Sequence, residues 1–312
     1  MTDLQALTDA HNARMRAIDP LIPPAGVPEP EIDEDRLLTV PGAAAYTHCN
    51  QVDPETLLAC WGALERHSLI DVRVAGEDPA RSLRALLSAW GRELRVGNQD
   101  GTDETGATFT WPSRDAAMVR PLLEHGLVPH VVVAARTAGR ASAPRERADV
   151  EIRRLEPDRV DDAARLALAI VEWDAQFGSV TVRPSTLGCL HEELAEAAAD
   201  PNESAWLAYA DGDPVGLVSV DIPAKPWMAA IVNAQRPAYL GFLSVVPGRR
   251  SAGVGSALVE HVHRRVDAAG CDVTLLHHAV LNPLSGPFWN QWGYRPLWTG
   301  YDVRPHTAVV AR

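Results

Sequence analysis

Tyr239-Leu240-Gly241-Phe242-Leu243-Ser244-Val245-Val246-Pro247-Gly248-Arg249-Arg250-Ser251-Ala252-Gly253-Val254-Gly255-Ser256-Ala257-Leu258 is the stretch that decides the fold. An apolar run of strand character passes into a loop of glycines, arginines and a serine, and the loop opens a helical pattern. Val254, Leu258, Val262 and Val266 recur on one stripe of that helix, and Gly270 gives it a natural stop. Gly253 and Gly255 have no Cβ, so the backbone can come close to a ligand. The N–H groups of a first helical turn lack intrahelical partners and sit at the positive end of the helix dipole, which suits a pyrophosphate. Arg249 and Arg250 add fixed positive charge in a chain whose formal net charge is −12.

Outward from this loop, strands and helices alternate. Upstream, 150–154 predicts a strand, 157–173 a helix and 187–199 a second helix. The runs 206–210 and 214–221 predict a hairpin around Asp211-Gly212-Asp213, a strong turn signal. A strand over 238–246 precedes the loop and a helix over 253–269 follows it. A strand at 272–277, a helix at 283–292 and a strand at 294–303 complete the pattern. Such alternation predicts a mixed α/β (α+β) fold with a central mixed sheet flanked by helices.

The order strand, Val-x-Pro exit, Arg-x-x-Gly-x-Gly and amphipathic helix resembles the Gln/Arg-x-x-Gly-x-Gly/Ala motif of the GNAT N-acetyltransferases. The resemblance implies acetyl-CoA, or another acyl-CoA, as co-substrate. By it, Arg250, Ser251, Ala252, Gly253, Val254, Gly255 and Ser256 contact pyrophosphate, with Arg249 adding charge. The backbone of Leu243 and Val245 would pair with the pantetheine arm. Asn282-Pro283-Leu284-Ser285-Gly286-Pro287-Phe288-Trp289-Asn290-Gln291-Trp292-Gly293-Tyr294 is similar to the family's last motif. Asn282 can cap the helix that follows, with Pro283 at its first position. The resemblance adds a contact between Asn282 and CoA.

The chain also departs from the family. Trp289 stands where many members have a tyrosine that protonates the departing thiolate, and an indole N–H is not a usable acid. Tyr294 and Tyr301 are substitutes in principle but suit core aromatics better. In one set of members the base precedes the last motif on its strand. That position is His277, followed by His278, and a neutral imidazole is a reasonable base near pH 7. In others a Glu lies on the strand before the loop; here that position is Tyr239. Glu172 and Asp174 are the alternative base or acceptor-binding pair, with Trp173 and Phe177 offering cation–π contact to a cationic acceptor.

The first half resembles a degenerate copy of the same fold. Residues 108–115 followed by 122–129 parallel 275–282 followed by 288–296, and Asp115 to Gly126 repeats the spacing of Asn282 to Gly293. Asp71-Val72-Arg73-Val74 matches the strand before the loop, and 79–90 the helix after it. Between them lie Gly76, Glu77 and Asp78, whose charges favour the helix dipole but repel a pyrophosphate. The expected organisation is an N-terminal helix and Pro-rich linker (1–30), a degenerate GNAT-like domain (31–140) and an acyl-CoA-binding catalytic domain (148–312). The break is the small, polar stretch 138–147.

Composition bounds the rest. The chain has 312 residues, 46% of them hydrophobic and 22% charged, as in a soluble globular protein. No apolar run approaches a bilayer span, and the start lacks a secretory pattern, so the expectation is cytoplasmic with no membrane partner. A strongly acidic balance argues against nucleic acid. Cys49, Cys60, Cys189 and Cys271 are scattered, with no His/Cys cluster at metal-ligand spacing, so reduced thiols and no metal are expected. Lys225 is the only lysine among many arginines, pointing to a GC-rich bacterial genome. A dinucleotide-binding fold is excluded because Cys271-Asp272 begins a strand where an acidic ribose ligand should end one. The expected function is N-acetyl transfer to a small-molecule amine, with a homodimer compatible. The alternative is a non-catalytic acyl-CoA-binding sensor or scaffold.

Overall fold

The computed structural model describes residues 3–96, 102–139, 150–178, 180–202 and 204–311. Most of the break expected at 138–147 lies outside these residues. In chain order the elements begin with α1 (Leu4–Ile18), β1 (Arg36–Val40), β2 (Ala43–Gln51), β3 (Glu65–Val74) and α2 (Pro79–Val96). Next come β4 (Thr105–Pro112), α3 (Val119–Glu124), β5 (Val128–Thr137), β6 (Glu151–Arg154), α4 (Val160–Ala175) and α5 (Thr186–Ala199). The chain closes with β7 (Ala205–Ala210), β8 (Asp213–Asp221), α6 (Pro226–Ala229), β9 (Pro237–Val245), α7 (Val254–Ala268), β10 (Val273–Ala279), α8 (Ser285–Gln291) and β11 (Arg295–Val303). Among the described residues no helix is long and apolar enough to cross a membrane.

The chain divides into two compact units, and neither is continuous in sequence. The first comprises residues 1–53, 62–132 and 296–312; the second comprises 54–61 and 133–295.

In the first unit the strands run in the order β1-β2-β3-β4-β11. The pairs β1/β2, β2/β3 and β4/β11 are antiparallel, and β3/β4 is parallel. Helix α2 packs on β1 and β2. It does so because Leu83, Leu86, Leu87, Trp90 and Leu94 fall on one stripe and are all buried.

The second unit uses β6-β7-β8-β9-β10 and the latter half of β5. Here β6/β7, β7/β8 and β8/β9 are antiparallel and β9/β10 is parallel. Leu166, Val171, Leu190 and Leu194 of α4 and α5 form one core with Leu207 and Leu217 of the sheet. Next to Leu217, Gly216 turns the other way; a Cβ there would lie 2.9 Å from Leu258 Cδ1 of α7. Alternation along β8 therefore puts α4 and α5 on one face and α7 on the other.

Each unit repeats one plan of antiparallel strands followed by a parallel pair, but the closing strands are exchanged. Strand β11, from the end of the chain, completes the first unit, and residues 133–137 complete the second, where Ala138 N–H donates to Asp272 O at 2.9 Å. The segment 54–61 also joins the second unit. Ser185 Oγ donates to Pro54 O (2.8 Å), Arg183 Nε to Ala59 O (2.7 Å), and Thr181 N to Cys60 O (2.8 Å). The units thus differ from the contiguous domains 31–140 and 148–312. Apolar alternation marks a strand but does not say which sheet it joins.

A fragment of residues 150–312 lacks two pieces of its own unit and carries β11 without its partner β4. We expect no cooperative thermal transition by circular dichroism for this fragment, against a cooperative one for the full chain. A monomeric fragment that melts cooperatively would show that the exchanged strand is dispensable.

Candidate active site

The site begins where β9 loses a neighbour. Its parallel pairing with β10 runs from Pro237↔Val273 to Leu240↔Leu276 and stops, although β9 continues to Val245 and β10 to Ala279. On its other edge β9 stays paired with β8 as far as Val245↔Gly216. Residues 241–245, with Leu243 and Val245 among them, therefore lie beyond the β10 pairing, as an extended ligand would require.

A bulge marks the point of divergence. The β8/β9 register shifts between Leu243↔Val218 and Leu240↔Val220, leaving an extra residue on β9. Phe242 N–H donates to Ser219 Oγ at 2.8 Å, and a Cβ on Gly241 would sit 2.8 Å from that same oxygen. Gly241 and Ser219 together allow the bulge to exist.

The loop after β9 turns through a 3-10 segment, Pro247–Arg249, and then two left-handed residues, Ser251 (φ 62°) and Gly253 (φ 84°). Gly253 is the N-cap of α7 and brings no side-chain cap. The first bond from beyond the turn is Ala257 N to Gly253 O (3.0 Å), so the N–H groups of Val254, Gly255 and Ser256 precede the intrahelical ladder. Arg250 lies over the Trp173 ring at 4.6 Å, and its Nε donates to Val245 O at 3.4 Å. Arg249 is instead paired with Asp211 (2.6 Å), so its charge is partly neutralised. Ser251 and Ala252 are exposed.

Trp173 was expected to face a cationic acceptor; it holds the protein's own Arg250. The carboxylates flanking it have different surroundings. Glu172 is exposed, whereas Asp174 is half-buried and accepts a hydrogen bond from Asn282 Nδ2 at 2.7 Å. Burial raises the Asp174 pKa, and the Asn282 bond opposes that shift. Asn282 is buried, and its Oδ1 accepts from Leu284 N at 3.0 Å. Helix α8 starts later than the expected 283, and Leu284 is its N-cap, so Asn282 braces the turn ahead of the helix.

His277 sits on β10 with Nδ1 3.0 Å from the Tyr239 hydroxyl. Its ring lies over that of Trp227, with centroids 6.3 Å apart and planes 27° apart. Burial, and to a lesser degree His278, pushes the His277 pKa down to about 4, so the imidazole is neutral throughout the physiological range. His278 Nδ1 faces Ala279 O at 3.1 Å.

Sequence reasoning missed the groups around Tyr239. A cavity of about 310 Å³ is lined by Glu193, Asp221, Lys225, Trp227, Tyr239 and Phe242, with Glu196 and Asp200 also on its wall. Asp221 is the direct cross-strand partner of Tyr239, so a carboxylate stands beside the position where some family members carry their Glu. Burial raises the pKa values of Asp221 and Glu193, with Lys225 opposing in both. Burial first, then the charges of Asp221 and Glu193, raise that of Tyr239. Trp227 is 57% exposed at this cavity. The signal in the sequence was the β8–β9 register, which the bulge obscures.

The tyrosines offered in place of Trp289 are buried. Tyr294 is 2% exposed with its hydroxyl 3.1 Å from His263 Nε2, and Tyr301 belongs to β11 of the first unit. Trp289 itself is buried, edge-on to Tyr294.

In the first unit the equivalent places are filled. The parallel β3/β4 pairing likewise ends early, at Ser68↔Thr108, while β3 runs on to Val74. There Val74 N–H donates to His11 Nδ1 of α1 at 3.1 Å. The start of α2 is capped from within, Arg81 N–H donating to Asp78 Oδ1 at 3.0 Å.

Residues 168–294 match the family described as the acetyltransferase (GNAT) family. A GCN5-related N-acetyltransferase from Sphaerobacter thermophilus superposes with a TM-score of 0.54 at 14% identity, over 85% of this chain and 77% of that one. A GNAT-family acetyltransferase from Colwellia psychrerythraea gives 0.51 at 10% identity, over 97% of each chain. No curated protein sequence matches significantly. The fold is therefore the GNAT fold, and the segment that matches the GNAT family model lies within the second unit.

The bulge makes a sharp prediction. Gly241→Ala should displace the Ser219 hydroxyl from Phe242 N–H, and Ser219→Ala should delete the same bond. Each should cost about 1–2 kcal/mol in urea unfolding. The double variant should cost little more than Ser219→Ala alone; full additivity would mean that the two residues do not share one interaction.

Proposed function

We propose that the second unit transfers an acyl group, acetyl in the first instance, from acyl-CoA to the amine of a small cationic acceptor. The observation that carries this reading is the early end of the β9/β10 pairing, directly ahead of an uncapped helix start. The N–H groups of Val254, Gly255 and Ser256, with Arg250, would hold the pyrophosphate, and Ser251 to Gly253 would let the backbone wrap it. The free edge at Leu243 and Val245 would align the pantetheine arm, bringing the thioester to the bulge. CoA supplies an activated thioester. A thiol pKa near cysteine's ordinary value of about 8.5 makes its thiolate a tolerable leaving group without a tyrosine at Trp289.

The acidic cavity supports a cationic acceptor. Glu193, Glu196, Asp200 and Asp221 are opposed there by Lys225, and exposed Trp227 offers a cation–π face. Asp221 is proposed as the base that takes the ammonium proton, because a carboxylate with a raised pKa is better matched to that task than an imidazole near 4. His277 would then position Tyr239. Asp221 takes one proton from the ammonium, the amine nitrogen forms its bond to the acyl carbon as the C–S bond breaks, and the second N–H proton passes to the departing thiolate, leaving CoA as the free thiol. A non-catalytic acyl-CoA sensor is the second reading; Trp289 in place of the usual acid favours it.

Arg250→Glu or Gly253→Asp should abolish CoA binding by calorimetry in a folded protein. Binding with unchanged affinity would remove the loop assignment. Wild type should bind one CoA per chain, since Asp78 occupies the first unit's helix start.

Asp221→Asn should lower turnover by roughly 10²-fold or more with little change in CoA affinity. The base works deprotonated, so the rate should rise with pH through a value above the ordinary carboxylate range, and Asp221→Asn should remove that limb. If His277→Ala loses the limb while Asp221→Asn keeps it, His277 is the base. Absence of thiol release with any amine of a cationic panel would favour the sensor.

A further inference from the structure

The first unit holds a second cavity, of about 580 Å³, whose lining includes Cys49, Glu65, His67, Trp90, Glu93 and His306. The antiparallel β2/β3 register places Cys49 directly opposite His67, and Gln51 opposite Glu65. Alternation then sets Cys49, Glu65 and His67 on one face of the sheet. One sulfur, one nitrogen and one oxygen from these residues all lie within 4.8 Å of one another. Cys49 Sγ is 3.9 Å from His67 Nε2, which is 2.6 Å from Glu65 Oε1. Gln51 Nε2 donates to the other carboxylate oxygen, Glu65 Oε2, at 3.1 Å.

A separate observation comes from the far end of the chain. His306, in the 3-10 turn His306–Ala308 after β11, stacks on His67 with centroids 4.2 Å apart and planes 29° apart. It is 1% exposed, lines the same cavity, and its Nδ1 is buried with no hydrogen-bond partner. An unpaired buried ring nitrogen is costly, and a ligand at the cavity would relieve it.

Two chemistries use a cysteine, a histidine and a glutamate together. A nucleophile relay needs the thiol on one ring nitrogen and the carboxylate on the other. Here the same nitrogen, His67 Nε2, faces both Cys49 and Glu65, so no proton can be passed along. Donors converging on one point are what a tetrahedral ion requires. Mixed thiolate, imidazole and carboxylate donors select zinc or a neighbouring transition ion over magnesium or calcium, which prefer oxygen.

We propose that Cys49, Glu65 and His67 bind one divalent transition-metal ion of the zinc class in the cavity that His306 also lines. The ion joins β2 and β3 through three protein ligands, and its fourth position faces the cavity beside the turn after β11. The spacing of Cys49, Glu65 and His67 matches no linear metal motif, which is why the sequence pointed to no metal. The hairpin register assembles the set.

The test uses the full chain, stripped with a chelator and titrated with cobalt(II). One ion per chain should bind with a thiolate-to-cobalt charge-transfer band, and zinc should displace it. Cys49→Ser should lose the band; the residue is exposed, so circular dichroism should be unchanged. Glu65→Gln and His67→Ala should each weaken zinc binding about tenfold or more, and zinc should raise the melting temperature of wild type but not of these variants. No saturable binding, a band that survives Cys49→Ser, or equal competition by magnesium would overturn the site.

Discussion

The second unit depends on one constraint: β9 must stay in the sheet while giving up one of its two edges. Beyond Leu240 it is held by β8 alone, and β10 has moved away. Strand backbone without a partner is unfavourable when sheltered from water, so the divergence has to be fixed by other contacts. Ser219 supplies one, taking up the N–H of the bulged Phe242, and Gly241 leaves room for it. Buried Ser244 and Leu240 keep the strand anchored on both sides of the bulge. The loop that follows inherits its direction from this edge, and so does the helix start at Gly253.

Charge is segregated along the same strand. At its end, Arg250 and the dipole of α7 make a positive region, with Arg249 partly neutralised by Asp211. At its beginning, Asp221 and Glu193 make a negative one around Tyr239. An anionic and a cationic ligand would therefore be drawn to opposite ends of β9 and meet near the bulge. The raised pKa values at the negative end arise from burial more than from mutual repulsion, and Lys225 moderates them. Burial acts on His277 in the reverse sense, because it disfavours the charged imidazolium.

What could be seen in the sequence was local. The strand, the Arg-x-x-Gly-x-Gly loop and the amphipathic helix are fixed by residues within a few positions of one another, and each falls where expected. Pairings across strands were not legible. Asp221 meets Tyr239 across β8 and β9, which are joined through 222–236 and not by a tight turn, and a bulge shifts their register as well. Asn282 and Asp174 meet through tertiary packing, which converts two proposed ligand-binding groups into a brace between α4 and the turn before α8. The exchange of β11 and the latter half of β5 was invisible for a similar reason, since both strands have the apolar character that either sheet would accept.

The first unit shows how this architecture can close the same openings with its own side chains. It keeps the parallel pair that ends early, and it keeps a strand leading into a helix. Both openings are closed by the chain's own polar atoms. His11, driven neutral by burial with a pKa of about 4, accepts the N–H of Val74, and Asp78 accepts from the first turn of α2. A neutral ring can be buried at a strand edge where an imidazolium could not, and a carboxylate suits the positive end of a helix as a phosphate does. The second unit has neither group: Gly253 caps α7 with no side chain, and no helix like α1 precedes β6 in the described residues. Two halves with one strand plan thus differ in whether the protein's own side chains satisfy the open backbone, and Asp78 against Gly253 is the residue difference at the helix start.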